Sequence, residues 1–109
     1  MCGIAGIYGA KNQNHSRSRL QKMSAKLAHR GPDAEGYFLG DTISLAHRRL
    51  SILDLSDTAN QPMTDHTGRY TLIFNGEIYN FQELKKRLKG YPFKSNGDSE
   101  VLLAGLAKW

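Results

Sequence analysis

Apolar residues recur along this chain at two different spacings, and segments of each kind alternate. Residues 3–8, GIAGIY, form a short apolar run with glycines where backbones can approach closely. Leu20, Met23 and Leu27 then recur at i, i+3 and i+7, the period of an amphipathic helix, and Gly31-Pro32 stops it. The intervening residues 11–16, KNQNHS, read as a polar loop. Residues 36–39 and 43–52 read as strands joined by a turn at Gly40-Asp41, with Ile43, Leu45, His47 and Arg49 on one face and Ser44, Ala46 and Arg48 on the other. A polar loop spans Leu53 to Pro62, and Tyr70 to Phe74 is the clearest strand. Asn80 opens a helix with near capping-box spacing to Glu83, an apolar stripe of Phe81, Leu84 and Leu88, and a stop at Gly90. Asn96-Gly97 makes a turn. Asp98 or Ser99 caps a last helix that carries Val101, Leu102, Leu106 and Trp109. The predicted order is β-α-β-β-β-α-(β)-α, a mixed layered α/β plan. The last helix has no stop signal, so the chain reads as the front of a longer domain.

The bulk numbers narrow the function classes. The 109 residues make one domain or part of one, and 39% are apolar, enough for a modest core. No stretch approaches the roughly 18 apolar residues of a membrane span, and no secretory signal is visible. One cysteine forms no internal disulfide, so a reducing, cytoplasmic setting is expected. The net charge of +5 is dispersed; its densest run, Lys85, Lys86, Arg87 and Lys89, reads as a solvated helix face, and no nucleic-acid motif accompanies it. The four histidines show no zinc-ligand spacing, so no metal is expected.

Several residues can carry chemistry, each beside a plainer role. Cys2 stands directly behind Met1. If Met1 is removed, one residue holds a thiol and an α-amine whose pKa of about 7.7–8 lets it accept a proton at neutral pH. The plainer role is a small residue packed at a strand start. Asn75-Gly76, in LIFNGEIYN, is a strong hairpin turn signal. It also suits an oxyanion site, with an amide side chain and an exposed backbone N–H. Arg49 shares a strand face with apolar residues, where it needs a partner, and its planar fork can hold a carboxylate. Asp98 is either an N-cap or a ligand for an ammonium group. RGPD at 30–33 is accounted for as a helix stop followed by a turn.

Taken in order, MCGIAGIYG, HRGPDAEGYF, LAHRRLSILDLS, QPM, FNGEIYNFQEL and GDSEVLL resemble the N-terminal glutaminase domain of glutamine-hydrolysing asparagine synthetases. More broadly they resemble class II glutamine amidotransferases with an N-terminal nucleophile, over essentially all of residues 1–109. The resemblance implies an α+β fold, a four-layer αββα sandwich of the N-terminal nucleophile hydrolase type, of which this chain is the N-terminal part, truncated at its C-terminal side. It implies that Cys2 attacks the glutamine side-chain amide and forms a thioester, with Asn75 and Gly76 holding the oxyanion. Arg49 would grip the α-carboxylate. Leu50, Ser51, Ile52 and Leu53 would line the pocket with backbone groups, and Glu77 and Asp98 would hold the α-ammonium. HRGPD would shape the pocket mouth. The expected partners are glutamine and a synthetase domain that receives the ammonia, with neither nucleic acid nor membrane, and with a homo-oligomer as an open possibility. The glutaminase half-reaction would need no cofactor; ATP and Mg would serve only the synthetase domain, which lies outside these residues. The alternatives are a non-catalytic glutamine-binding or assembly module, and an amidotransferase that feeds another acceptor such as a surface-polysaccharide sugar.

Overall fold

The computed structural model describes residues 1–9, 13–51 and 55–109. Three antiparallel strands form the main sheet: β1 (Gly3–Tyr8), β2 (Ala34–Leu39) and β3 (Ile43–Arg49), with β3 in the centre. Ala5 pairs with Ala46 on one side of β3, and Tyr37 pairs with Ala46 on the other. The Gly40 N–H donates to the Ile43 carbonyl at 2.9 Å and closes the expected β2–β3 turn.

Helix α1 (Gln13–Lys26) packs across all three strands. It begins inside the segment expected to be loop, so the reading of 13–16 as loop is corrected. Its buried stripe also differs from the expected one. Ser16, Leu20 and Ser24 are buried, whereas Met23 is 38% exposed. Ser16, Leu20 and Ser24, spaced at four-residue intervals, lie on one helix face, and the two small serines let that face sit close to the sheet. Gly3 shows how close: a Cβ there would lie 2.9 Å from the Cβ of Leu27. The glycine serves helix–sheet contact.

The second half is smaller. A 3₁₀ turn (Asp57–Ala59) leads to β4 (Met63–Thr64), which pairs with β5 (Thr71–Leu72). The expected strand over Tyr70 to Phe74 shrinks to those two residues, because the peptide groups of Phe74 bond to side chains instead of a ladder. Helix α2 (Phe81–Arg87) packs on α3 (Asp98–Lys108). Leu88, Val101 and Ala104 form the core between them, with Phe81, Leu84, Tyr91 and Phe93 against it. The expected stripe on α3 is corrected: Leu103 and Ala104 are buried, while Leu106 and Trp109 are exposed. Arg87 lies 5.2 Å from the Trp109 ring and Lys85 lies 4.8 Å from the Phe93 ring, so part of the basic run covers aromatic surface. Neither α2 nor α3 is capped as expected. Asn80 makes no side-chain cap bond, and Gly97 rather than Asp98 or Ser99 is the N-cap of α3. No helix among the described residues is long and apolar enough to cross a membrane.

Candidate active site

The main sheet and the α2–α3 unit meet around a cavity of about 410 Å³. That volume falls within the range of small-molecule sites. Met1, Cys2, Arg49, Leu50, Asn75, Gly76, Glu77 and Asp98 all line it. These residues come from the segment before β1, the end of β3, the segment after β5 and the first turn of α3.

Cys2 sits just before β1 and faces the end of β3. The Leu50 N–H donates to Cys2 Sγ at 3.3 Å, and the thiol lies 3.8 Å from the Leu50 carbonyl oxygen. Arg30 Nε donates to the Cys2 carbonyl at 3.1 Å. Asp33 Oδ2 accepts the Ser51 N–H at 2.7 Å. The HRGPD segment therefore fixes the chain on both sides of the sulfur, a role beyond shaping a mouth. It lies against β3 so closely that a Cβ on Gly31 would strike the Arg48 backbone. Ser51 turns its N–H to Asp33 and is not among the described residues lining the cavity. Ile52 and Leu53 lie outside the described residues.

Arg49 is 7% exposed at the end of β3. Its Nη1 donates to the Ser56 carbonyl at 2.6 Å and to Asn60 Oδ1 at 2.7 Å. Two acceptors on one nitrogen fix the plane of the guanidinium at the cavity wall, which is the partner that the sequence required of a half-apolar strand face.

Asn75-Gly76 is not a hairpin turn. No strand follows it before α2, and residues 75–77 border the cavity. His47 is 1% exposed, and its Nε2–H donates to the Phe74 carbonyl at 3.2 Å. Burial holds the His47 imidazole below its ordinary value of 6.5; the Phe74 carbonyl opposes that fall and the Arg49 cation adds to it. The ring is therefore neutral at physiological pH and carries its proton on Nε2.

Asp98 is 7% exposed, and its Oδ2 accepts the Ile78 N–H at 2.9 Å. Instead of capping its own helix, it holds the segment that carries Glu77. Glu77 itself is exposed. Seven of the expected site residues, Leu50 among them, thus converge on one cavity, and no cluster of three or more metal-ligating side chains occurs among the described residues.

Two residues that were not expected to bind substrate or act in catalysis belong to this arrangement. Arg30 reaches the Cys2 carbonyl, and Gln61 bonds both the Phe74 N–H and the Ser99 hydroxyl. Both lie in motifs that looked like turn or loop chemistry, because their partners are distant in sequence.

Comparison with known proteins identifies the family. The glutamine amidotransferase domain family matches residues 1–109. Asparagine synthetase [glutamine-hydrolyzing] 1 of Bacillus subtilis (strain 168) is 39% identical over 109 residues, covering 95% of this chain and 17% of the relative. Asparagine synthetase [glutamine-hydrolyzing] 2 of the same organism is 40% identical over 106 residues, covering 94% of this chain and 14% of the relative. Asparagine synthetase [glutamine-hydrolyzing] 1 of Arabidopsis thaliana is 38% identical over 103 residues, covering 94% of this chain and 18% of the relative. The chain thus spans less than a fifth of the length of these curated relatives. With the family match running from Met1 to Trp109, the chain belongs to the glutamine amidotransferase domain family.

Proposed function

We propose that this chain hydrolyses glutamine to glutamate and ammonia through a thioester on Cys2, and that the ammonia serves an asparagine synthetase domain that amidates aspartate. One observation carries the reading. A nucleophile, a guanidinium, a carboxylate and an Asn-Gly pair, dispersed from position 2 to position 98, face one cavity. A free amino acid needs one ion at each end, and Arg49 and Asp98 offer them.

The chemistry follows from the groups present. Removal of Met1, which now borders the cavity, converts the Cys2 nitrogen from an amide into an amine. That amine takes the thiol proton as the sulfur attacks the amide carbon of glutamine. The carbonyl oxygen becomes an oxyanion, held by the Asn75 side-chain amide and the Gly76 N–H; each such donor contributes about 10²–10³ in rate. The amine returns the proton to the leaving nitrogen, and ammonia departs. Water, deprotonated by the same amine, attacks the thioester and releases glutamate and the thiol. The Leu50 N–H holds the sulfur in place throughout.

The α+β arrangement also supports a complete four-layer αββα sandwich. Helix α1 covers one face of the main sheet, and the opposite face carries the exposed Ile4, Tyr8 and Ile43. ATP and Mg would belong to the synthetase reaction, outside these residues.

The test uses the complete natural protein. Glutamine should yield equimolar glutamate and ammonia, the intact mass should lack Met1, and a diazoketone analogue of glutamine should label Cys2. Cys2→Ala should abolish hydrolysis. Full turnover by Cys2→Ala, or an active preparation that retains Met1, refutes the mechanism.

A further inference from the structure

Residues 74–78 form an arch over the cavity, with Asn75, Gly76 and Glu77 on its span. Both feet of the arch rest on the first turn of α3. At one foot the Ile78 N–H bonds directly to Asp98 Oδ2. At the other foot the contact passes through a third segment. Gln61 Oε1 accepts the Phe74 N–H at 2.6 Å, and Gln61 Nε2 donates to Ser99 Oγ at 3.0 Å. The amide orientation is not arbitrary, since a backbone N–H can only donate and so selects the oxygen.

We propose that Gln61 is a positioning residue, which sets the separation between the oxyanion donors on Asn75-Gly76 and the ammonium-binding carboxylate of Asp98. The proposal rests on the glutamine-hydrolysing reading above. Three observations support it. First, Gln61 is 7% exposed and lines the cavity, so its amide needs partners, and it finds them in the two walls. Second, its own backbone is closely packed. A Cβ on Gly36 would collide with the Gln61 carbonyl, so β2 lies directly against it. Third, its neighbour Asn60 holds Arg49. Two consecutive side chains therefore serve the two ends of the bound amino acid: Asn60 the carboxylate end, and Gln61 the amide and ammonium end. The His47 imidazole takes the remaining Phe74 group, its carbonyl. With no ladder at Phe74, the direction in which Asn75 leaves depends on these side chains.

The experiment compares Gln61→Met, Ser99→Ala and the double variant in the complete natural protein. Gln61→Met keeps the length of the side chain and loses both bonds. A misplacement near 1 Å costs on the order of 10²-fold, so kcat/KM for glutamine should fall by about that factor. Alkylation of Cys2 by iodoacetamide, which needs neither end of the site, should stay within about twofold of wild type, whereas a general loss of structure would change both. Ser99→Ala, a milder change, should lower kcat/KM by about tenfold. The double variant should be no worse than Gln61→Met alone, because both changes break one strut. Multiplying losses, or a Gln61→Met enzyme within threefold of wild type, overturns the proposal. Hydrogen exchange of the peptide covering 74–78 gives an arm independent of catalysis. Gln61→Met should speed exchange there at least tenfold, and unchanged protection overturns the strut. If wild type fails to hydrolyse glutamine, the functional reading falls, while the exchange result still decides whether Gln61 holds the arch.

Discussion

Replacing Asp98 by asparagine separates its bond to Ile78 from its proposed hold on the glutamine ammonium. The carboxylate is 7% exposed, and its Oδ2 accepts the Ile78 N–H at 2.9 Å. The asparagine amide oxygen can accept the same bond, so the arch keeps that foot and only the charge is removed. A hydrogen bond to a charged partner contributes about 1.5–3 kcal/mol, which at about 1.4 kcal/mol per decade corresponds to a 10- to 150-fold rise in KM for glutamine. The ammonium is held equally in the ground and transition states, so kcat should change far less. Glu77 is exposed and screened, and an exposed pair contributes at most about 1 kcal/mol, so Glu77→Gln should raise KM by less than about fivefold. The assay is initial glutamate release against glutamine concentration. With 4-carbamoylbutanoate, which is glutamine without its amine, wild type and Asp98→Asn should behave alike. A fall in kcat at constant KM, or a larger effect from Glu77→Gln, would refute the assignment of Asp98 to the ammonium.

Two further outcomes concern stability. Leu88 is 2% exposed at the centre of the α2–α3 core, so Leu88→Ala should cost about 2–5 kcal/mol in urea unfolding; a loss below about 1 kcal/mol would show that this core closes around the cavity. His47 titrates below its ordinary 6.5 when folded, so the unfolded chain binds more protons between the two values. Its contribution to stability is therefore level above about pH 6.5 and declines as pH falls through the folded value. His47→Gln should flatten that part of the profile of urea midpoint against pH, and a midpoint that rises on acidification would contradict the burial argument.

Much of the chain was legible because its signals are local. The alternation in β3, the turn at Gly40-Asp41, and the Gly90 stop with φ of 90° all depend on residues within a few positions of one another. Most residues that line the cavity were named through the ordered motifs. Which groups bond to one another was not legible. Asn75-Gly76 has the composition of a hairpin turn, yet a hairpin needs a second strand to pair with. Here His47 and Gln61, 27 and 13 residues away in sequence, take the Phe74 peptide groups first. Asp98 has the position of an N-cap, but its carboxylate serves Ile78, 20 residues back. Met23 fits the helical period of α1, but the face that meets the sheet is that of Ser16, Leu20 and Ser24.

The sequence by itself determined the periods, the turns and the supply of reactive groups, since these arise from bond geometry and near neighbours. The tertiary structure decided which backbone donor meets which side-chain acceptor. That choice depends on competition among partners far apart along the chain, and it is settled only when all of them are brought together and removed from water.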